Sequence, residues 1–313
     1  MRKETSSLPK IIVLVGPTTS GKTDWGVKLA KKFDGEVISA DSRQIYKYMN
    51  IGTAKPAGEW KYVGLRRVFH VEGVPHHLID FLNPGKTFTA AEFRDRAIKH
   101  IKSITRAGAV PFVVGGTGLY VEALVSNYTI PRIPANKKLR ESFEEKTPAE
   151  LLALLGKLDP DTAASIDPHN KRRLIRALEV CILSGDQFSK QKKKGEPIFN
   201  VLKLGISVPR EVLHERIDSR IDGMLTAGLL SEVQFLVKHR YGWNLPSMSG
   251  IGYRQFKSYL AGDCTLEQVI TQLKKDTKKY AKRQATWFKR DKDIVWCSDI
   301  ASAEAAVKKF LTS

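Results

Sequence analysis

Eight residues near the start of the chain, Gly16 to Thr23, have the types and spacing needed to hold a phosphate group. They read GPTTSGKT and follow the apolar run Ile11–Val15, which is the P-loop pattern G-x-x-x-x-G-K-[ST] in its strand–turn–helix context. Backbone N–H groups of such a turn point at an anion, Lys22 adds a positive charge, and the Thr23 hydroxyl can ligate Mg²⁺. The motif predicts a bound diphosphate or triphosphate group, and a turn without a ligand is the weaker interpretation.

Three further positions could act on such a group. Asp41 is placed at the carboxyl end of the second predicted strand, where ligands of open α/β sheets bind. It can serve as a general base or support Mg²⁺, although an Asp at this position could also cap a helix. Thr117 lies in the glycine-rich turn Gly115–Gly118, and Arg220 could bring a guanidinium to the phosphate, as an arginine clamp does.

Two basic segments favour a nucleic-acid partner. Lys171–Arg176 lies on a predicted helix, and residues 277–290 hold six basic residues and no acidic one, interleaved with Tyr280, Trp287 and Phe288. Aromatic rings stack on unpaired bases while Lys and Arg follow phosphates. Solvated helix faces with buried aromatics are the competing interpretation.

The composition supports this partner. The chain has 313 residues, with 52 Lys+Arg against 33 Asp+Glu and a net charge of +19. Such an excess indicates a polyanion, either nucleic acid or an anionic membrane. The absence of a long apolar stretch and of a secretory signal in residues 1–10 weakens the membrane interpretation. The three widely spaced cysteines predict neither disulfides nor a zinc site, and we expect a cytoplasmic protein.

The elements that must position these residues alternate as in a parallel α/β sheet. The predicted strands are 11–15, 36–40, 77–80, 110–114, 201–208 and 294–297. The predicted helices are 23–33, 89–105, 211–227, 253–261, 266–289 and 302–311.

Composition changes after residue 130. Pro131 and Pro134 break the chain, residues 135–195 have a helical pattern, and a basic, breaker-rich stretch ends at Pro197. This pattern predicts a helical insertion domain at 131–197 within a P-loop NTPase-like parallel α/β core at 9–130 and 198–313, whose last part carries the RNA-binding helices.

Taken together, nine segments in one order resemble the bacterial tRNA dimethylallyltransferase (tRNA isopentenyltransferase) family over nearly the whole chain. They are GPTTSGKT (16–23), DSRQIY (41–46), IGTAKP (51–56), GVPHHLID (73–80), PFVVGGTGLY (111–120), NKRRLIRALEV (170–180), GLLSEV (228–233), GIGYRQ (250–255) and YAKRQATWF (280–288). The resemblance implies transfer of a prenyl group from dimethylallyl diphosphate to the exocyclic N6 amine of the adenosine 3′ to the anticodon, with release of pyrophosphate.

The resemblance also implies roles for individual residues. Asp41 would accept a hydrogen bond or proton from the adenine amine, Thr117 and Arg220 would position and stabilise the departing pyrophosphate, and Thr23 would hold Mg²⁺, the expected cofactor. The diphosphate would bind Gly16, Pro17, Thr18, Thr19, Ser20, Gly21, Lys22 and Thr23. Contacts to tRNA would come from Asp41, Ser42, Arg43, Gln44, Asn170, Lys171, Arg172, Arg173, Leu174, Gly250, Ile251, Gly252, Tyr253, Arg254, Gln255, Thr277, Lys278, Lys279, Tyr280, Ala281, Lys282, Arg283 and Gln284.

The chain departs from the family pattern at two places. The segment between Pro56 and Gly73 is longer than the family leads us to expect, and a small hairpin is one interpretation. Asn50 stands where the family usually has Asp, a change that we expect to be tolerated.

Three other functions stay open at this point. A small-molecule P-loop kinase would consume ATP and leave the basic aromatic helix unexplained. A prenyltransferase acting on free adenine nucleotides would not need residues 277–290. A non-catalytic RNA-binding protein would not need Asp41. We expect a monomer with no membrane partner.

Overall fold

The computed structural model describes residues 8–129, 131, 133–191 and 195–313, with the side chain of Arg66 excepted. Three features considered above fall wholly or partly outside the described residues: the segment examined for a secretory signal (1–7), the core boundary at 130, and part of the basic stretch (192–194). Residue 132 also lies outside them. The chain folds into two compact units, a core unit of Met1–Val121 with Ile198–Ser313 and an insertion unit of Glu122–Pro197.

An eight-stranded sheet forms the centre of the core unit. Its strands are β1 (Lys10–Val15), β2 (Gly35–Ser39), β3 (Glu59–Val63), β4 (Arg66–Val71), β5 (Val74–His77), β6 (Val110–Gly115), β7 (Asn200–Ile206) and β8 (Ile294–Cys297). The strand order is β3-β4-β5-β2-β6-β1-β7-β8. The six strands from β5 to β8 are parallel, and β4 and β3 continue the sheet as an antiparallel hairpin.

Helices cover the sheet and build the insertion unit. Among the described residues they are α1 (Lys22–Lys32), α2 (Ala90–Arg106), α3 (Gly118–Val125), α4 (Lys137–Glu144), α5 (Pro148–Leu158), α6 (Pro160–Ser165), α7 (Lys171–Ser184), α8 (Phe188–Gln191), α9 (Arg210–Thr226), α10 (Leu229–Lys238), α11 (Phe256–Leu260), α12 (Leu266–Phe288) and α13 (Ile300–Thr312). Helices α2, α5 and α12 each begin at a Thr capping box, which satisfies amide groups that a helix start leaves unpaired. Within the described ranges, no helix is both long and apolar enough to cross a bilayer.

Buried apolar runs explain the central strands. Every residue of Ile11–Val15 in β1 is buried, and such continuous burial is typical of a parallel strand covered on both faces. One core cluster packs β1, β2, β6 and β7 against α1 and α13. A second cluster packs α9, α10 and α12 against the loop that follows β2. The α/β interpretation of the sequence is therefore confirmed.

The insertion unit is helical, with helices α4 to α8 around a core that includes Leu151, Leu155, Leu174 and Leu178. It starts at Glu122, nine residues before the boundary at 131 predicted from Pro131. The segments near its two ends meet, because Asn127 donates from Nδ2 to the carbonyl of Glu196 (2.9 Å) and its backbone carbonyl accepts from the amide of Gly195 (3.2 Å). This pairing places the start of the unit ahead of the proline.

Most predicted elements lie within two residues of their observed positions, and two do not. The strand predicted at 77–80 is Val74–His77, because Leu78 and Asp80 take positive φ angles. The helix predicted at 253–261 shortens to Phe256–Leu260, because Gly252 has φ +96° and lies against the backbone of Gly52. Helix α10 was not predicted, although its buried residues Leu229, Val233 and Leu236 follow a helical period.

Three adjacent strands position the site. In the order β2-β6-β1, β1 is followed by the P-loop, β6 by the glycine-rich turn Gly115–Gly118, and β2 by Asp41. Carboxyl ends of parallel strands share one edge of a sheet, so the fold brings the three segments together there.

Candidate diphosphate and acceptor site

The P-loop has the backbone of an anion cradle. Gly21 takes φ +90° as the residue before α1, and no side chain caps the first amides of that helix. Thr19 also has a positive φ, 63°, and the buried Ser20 Oγ has no hydrogen-bond partner. Uncapped amides beside an unpaired hydroxyl suit a ligand rich in acceptor oxygens.

Lys22 is the cation of the cradle, and its surroundings alter its titration. Its Nζ donates to the carbonyl of Pro17 at 3.2 Å. Burial lowers the pKa of Lys22 to about 8, the negative charge of Asp41 opposes this shift, and the positive charge of Arg220 adds to it. A dianion in the cradle would supply the missing counter-charge and restore the charged form.

Asp41 opens the loop after β2. One carboxylate oxygen, Oδ1, accepts from the amide of Arg43 at 2.8 Å and from the amide of Gln44 at 3.3 Å. These bonds fix the side chain as an Asx turn, and Asp41 lines a pocket shared with the P-loop. The carboxylate is therefore held in place, and we expect its Oδ2 to receive a proton or hydrogen bond from a ligand.

Thr117 and Gln284 join the three segments of the site. The Thr117 hydroxyl accepts from the amide of Ser42 at 3.0 Å and lies 3.3 Å from the Ser42 hydroxyl. Gln284, on α12, accepts from the amide of Thr18 at 2.8 Å and donates to the carbonyl of Gly116 at 2.8 Å. The structure thus gives Thr117 a role in positioning the Asp41 loop, in addition to the leaving-group role that the family resemblance implies.

The glycine-rich turn needs its glycines because α12 packs directly on it. A Cβ built on Gly116 would lie 2.3 Å from the Gln284 amide nitrogen, and one on Gly118 would lie 2.3 Å from the Trp287 indole nitrogen. Side chains at these positions would push the end of α12 away from the P-loop. Trp287, which the sequence presented as a candidate for base stacking, lies against Gly118 and is 40% exposed, so its role in stacking stays a prediction.

A cavity of about 300 Å³ opens beside the P-loop. Its polar wall includes Thr18, Asp41, Arg220 and Arg283, and its apolar wall includes Ile217, Ile221, Met224 and Leu273. The cavity therefore combines an anion site, a carboxylate and a small apolar surface. The predicted site residues that it brings together are Thr18, Thr19, Asp41, Ser42, Arg43, Arg220, Ile251, Gly252, Arg254, Thr277, Tyr280 and Arg283.

The charges that face this cavity have few internal partners. Among the described residues no ion pair joins Asp41, Arg220 or Arg283 to another side chain, and Arg283 lies 5.8 Å over the ring of Tyr280. Partial burial lowers the pKa of Arg220. Burial, followed by the charge of Asp41, raises the pKa of Tyr280 to about 12, so the phenol stays protonated and can donate a hydrogen bond.

Glu232 organises the cavity and was not identified as a site residue from the sequence. Its carboxylate accepts from the amides of Asn50 (2.8 Å), Ile51 (2.8 Å) and Gly52 (3.0 Å), and from the Tyr253 hydroxyl (2.7 Å). Gly52 lines the cavity. The GLLSEV segment contained this residue, but nothing in its spacing indicated a carboxylate that collects three amides of a distant loop.

Four residues expected to contact tRNA have buried side chains, and for these we correct the prediction. Leu174 belongs to the core of the insertion unit, and Ala281 and Tyr253 belong to the α9–α12 cluster. Gln284 is 6% exposed and bound as described above. Leu174, Ala281 and Gln284 lie on the inward faces of their helices, and Tyr253, in the turn before α11, is held inside by its bond to Glu232. We therefore assign these side chains to packing and positioning.

The other residues predicted to contact RNA differ in whether their side chains are exposed or already bound to other groups of the protein. Arg172, Arg173, Lys279, Lys282 and Arg283 are exposed. Asn170 caps α7, Lys278 pairs with Asp218 at 2.7 Å, and Arg254 pairs with Asp276 at 2.8 Å. Gln44 donates to the carbonyl of Ala54 at 3.0 Å. The exposed basic residues remain the best candidates for phosphate contact.

The residues present fit a Mg²⁺–diphosphate group. The unpartnered Ser20 Oγ and the hydroxyl of Thr23 in the first turn of α1 offer oxygen ligands or hydrogen bonds at the cradle. In the described part of the chain, no cluster of three or more His, Cys, Asp or Glu residues could hold a metal alone. Most ligands of a Mg²⁺ ion would then be phosphate oxygens and water, as is usual for this ion.

The sheet, the cradle and the cavity define a P-loop-like α/β protein with a candidate phosphate site next to a carboxylate and apolar side chains. Comparison with known proteins narrows this class. The family model described as IPP transferase matches residues 44–291. A tRNA dimethylallyltransferase of Pelotomaculum thermopropionicum is 42% identical over 306 residues, covering 96% of this chain and 94% of the relative.

Further relatives agree. A tRNA dimethylallyltransferase 1 of Citrifermentans bemidjiense is 44% identical, covering 92% of this chain and 91% of the relative. The crystal structure of a full-length tRNA isopentenylpyrophosphate transferase from Bacillus halodurans superposes with a TM-score of 0.69 at 37% identity, covering 97% and 95% of the two chains. A eukaryotic dimethylallyltransferase acting on tRNA gives 0.74 at 29% identity, covering 96% and 77%. The chain belongs to the IPP transferase family.

Proposed function

We propose that this protein transfers the dimethylallyl group of dimethylallyl diphosphate to the N6 amine of the adenosine 3′ to the anticodon of tRNA, releasing pyrophosphate. The observation that carries the proposal is the cavity in which the P-loop, Asp41 and Arg220 face one another beside an apolar wall. The names of the relatives, which are tRNA dimethylallyltransferases, support the same acceptor and donor.

The difficult part of this reaction is the departure of pyrophosphate. The amine of adenine is a weak nucleophile because its lone pair is delocalised into the ring, so the C–O bond of the donor must be weakened from the phosphate side. Lys22 and Arg220 place two positive charges near the cradle, where they stabilise the negative charge that develops on the leaving group. A Mg²⁺ ion held by the diphosphate and Thr23 would neutralise further charge on pyrophosphate.

Asp41 supplies the base. As the N6–C bond forms, the amine becomes positively charged and must lose one proton, which the carboxylate accepts. The two amide bonds to Oδ1 hold the carboxylate in one orientation and leave Oδ2 for the amine. General base catalysis of this kind contributes about 10²- to 10⁴-fold to a rate.

The apolar wall suits the five-carbon chain of the donor. Ile217, Ile221, Met224 and Leu273 line the cavity together with the polar groups. Burial of a methylene group contributes about 0.8 kcal/mol, so the wall favours a prenyl diphosphate over inorganic pyrophosphate. The triphosphate and ribose of ATP would gain nothing from the same apolar surface.

The acceptor reaches this cavity past α12. Lys279, Lys282 and Arg283 on α12 are exposed, and Arg283 lines the cavity. Their positive charge supports binding of the anticodon stem-loop, and the target adenosine must leave its stack to enter. A tRNA acceptor supports a cytoplasmic site of action.

The test is the mass of the nucleosides after reaction. The protein is incubated with Mg²⁺, dimethylallyl diphosphate and unmodified tRNA that carries adenosine 3′ to the anticodon, and the tRNA is digested and weighed. We expect adenosine to gain one five-carbon prenyl unit. A matched tRNA with guanosine at that position should stay unchanged. Unmodified tRNA in this mixture, together with consumption of ATP in a parallel incubation that contains ATP, would overturn the proposal and favour a kinase.

A further inference from the structure

The hairpin of β3 and β4 is the part of the core unit that the proposed reaction does not use. Strand β3 is the last strand of the sheet, and a two-residue turn, Gly64-Leu65, joins it to β4 with Gly64 at φ +59°. At the tip Tyr62 is 74% exposed, Val63 56% and Leu65 102%. The prediction of a small hairpin in this segment is therefore confirmed. The side chains at its tip are not covered by the rest of the core unit.

One face of the hairpin carries an aromatic and cationic stripe. The strand register pairs Trp60 with Phe69 and Tyr62 with Arg67, and alternate residues of a strand share a face. The Arg67 guanidinium lies 5.4 Å from the centre of the Trp60 ring and 5.8 Å from that of Tyr62. We call Trp60, Tyr62 and Arg67 the hairpin platform.

The base of the hairpin platform is fixed and its outer end is free. Trp60 packs edge-on against the buried Phe69 at 5.5 Å and donates from Nε1 to Asp80 at 3.1 Å. Arg67 and Tyr62 are both exposed. A guanidinium held close to two aromatic rings is ordered before a partner arrives, so less conformational entropy is lost when a partner covers it.

The platform lies at the same edge of the sheet as the candidate site. Strand β4 is antiparallel to β5 and continues past its end, since Phe69 pairs with His76 and residues 66–68 lie beyond that pair. The turn therefore extends from the carboxyl edge, where Asp41 follows β2. Three strand spacings separate β3 from β2 in the sheet order, which is about 14 Å.

An ion pair also links the hairpin to the loop that begins at Asp41. Asp80, which holds Trp60, pairs with Lys55 at 2.7 Å, and the Lys55 side chain is 3% exposed. Lys55 donates in turn to the carbonyl of Tyr46 at 2.6 Å and to Asn50 Oδ1 at 2.8 Å. The platform is thus anchored to the loop that lines the cavity.

We propose that the hairpin platform is a second RNA contact, which stacks on an unpaired base or follows the backbone of the tRNA whose adenosine enters the cavity. The proposal rests on the proposed function, because it needs tRNA at the carboxyl edge. Charge complementarity selects RNA as the occupant, because the platform presents the exposed cation Arg67 on a chain of net charge +19. Lys61, on the opposite face of the hairpin, is paired with Glu59 at 2.7 Å and is not part of the platform. Arginine planes and tyrosine rings are the groups that stack on bases without sequence preference.

The experiment compares steady-state kinetics and equilibrium tRNA binding of the full chain and two groups of variants. Tyr62→Ala combined with Arg67→Ala should raise the KM for tRNA and the Kd for tRNA by roughly tenfold, within the range known for loss of base stacking. The kcat at saturating tRNA and the KM for dimethylallyl diphosphate should not change, since neither residue lines the cavity. Tyr62→Phe keeps the ring and should keep most of the tRNA affinity that Tyr62→Ala loses.

Leu65→Ser is the matched control, because Leu65 lies at the same tip outside the platform. It should leave both constants for tRNA unchanged. The salt dependence of binding should decrease by about one released counterion for Arg67→Ala and by none for the control.

The possible outcomes distinguish a failure of the platform proposal from a failure of the proposed function. Wild-type protein that does not prenylate tRNA overturns the proposed function, and tRNA binding still reports on the platform. Wild-type activity with an unchanged KM and Kd for tRNA in the double variant overturns the platform. A change of oligomeric state in Leu65→Ser, without any effect of the double variant on tRNA, would assign the tip to contact between copies and also overturn it.

Discussion

The charged residues at the cavity of the core unit and those around Glu179 in the insertion unit differ in whether the fold already supplies their partners. In the core unit Asp41, Arg220 and Arg283 face an open cavity, and no ion pair engages them among the described residues. In the insertion unit the buried carboxylate of Glu179 accepts from Arg140 Nε at 2.8 Å, Arg176 at 2.6 Å and the amide of Asn136 at 2.7 Å. The charged side chains at the cavity lack ionic partners until a ligand binds, whereas Glu179 and its arginines supply partners to each other.

A basic motif in a sequence therefore indicates a role only when the groups that its side chains contact are known. The sequence offered two comparable basic helices, now α7 and α12. Arg176 of α7 is committed to Glu179, and Lys171 of α7 lies 3.5 Å from the Glu144 carboxylate. Arg283 of α12 lines the cavity. Charges that are paired inside a unit stabilise its fold, while unpaired charges that converge indicate where a ligand binds.

The largest effect at the cavity is expected when the proposed base, Asp41, is removed. We expect Asp41→Asn to lower kcat by about 10²- to 10⁴-fold, because the amide cannot accept the proton while it keeps the shape of the side chain. The affinity for tRNA should change little. Asp263→Asn, at an exposed turn residue, is the control and should keep full turnover. A single-turnover rate for Asp41→Asn that stays close to that of wild type would remove the proton-acceptor role.

In the insertion unit the corresponding change should affect stability. Glu179→Ala leaves Arg140 and Arg176 without their carboxylate. Because these side chains are 42% and 33% exposed, water can solvate them, and we expect a cost of about 1.5–3 kcal/mol, the range for hydrogen bonds to charged groups. We expect a lower melting temperature, with activity kept well below it. Chemical denaturation checks this, with Glu141→Ala, whose carboxylate lies 3.6 Å from Lys137 at the surface, as the control. Equal losses in both variants would contradict the contrast.

The same pair predicts acid sensitivity. Burial alone would raise the pKa of Glu179, but hydrogen bonds from Arg140, Arg176 and the Asn136 amide outweigh it and lower the pKa to about 2. A depressed carboxyl pKa contributes stability above the unfolded value, and this contribution is lost as pH falls from about 4.5 towards 2. Glu179→Gln should flatten this part of the stability curve.

A smaller loss of activity is expected from Gln284→Ala. The change leaves the Thr18 amide and the Gly116 carbonyl unpaired, and each unsatisfied buried group costs about 1–3 kcal/mol. Because the two groups belong to the P-loop and the turn beside it, we expect kcat/KM for dimethylallyl diphosphate to fall by about tenfold to a hundredfold. Thr286→Ala, on the exposed side of α12, should have no effect. If both variants behave alike, Gln284 does not join the segments of the site.

The smallest expected effect is a pH dependence of ligand binding. Burial lowers the pKa of Lys22 to about 8 in the free protein, so Lys22 loses its positive charge as pH rises through this value. The Kd for pyrophosphate should rise by up to about tenfold for each pH unit above about 8. Calorimetry across this pH range measures it. Lys22→Arg stays charged throughout, and a slope equal to that of wild type in this variant would assign the effect to another group.

The sequence was a good guide to local structure and to which segments meet at the cavity. The P-loop, the strand that precedes it and the turn Gly115–Gly118 were placed correctly because their patterns are short and their causes are local. Asp41 was identified because a carboxylate at the end of a parallel strand faces the ligand edge. The roles predicted for the other site residues came from the family resemblance.

What the sequence did not predict depends on distant partners. Glu232 collects amides at positions 50–52, about 180 residues away, and Gln284 bridges two loops that precede it by more than 160 residues. No local spacing encodes such contacts. Likewise the helix predicted at 253–261 was shortened by the close approach of Gly252 to Gly52, which the local pattern does not show.

The most direct measurement of the central claim, that the P-loop holds the diphosphate of a prenyl donor, is the yield of pyrophosphate. Purified protein, Mg²⁺ and tRNA are supplied with dimethylallyl diphosphate or with ATP, and released pyrophosphate and prenylated adenosine are counted together. We predict one pyrophosphate per prenylated adenosine with dimethylallyl diphosphate, and neither hydrolysis nor transfer with ATP. Turnover of ATP, or unmodified tRNA with the prenyl donor, would contradict the account.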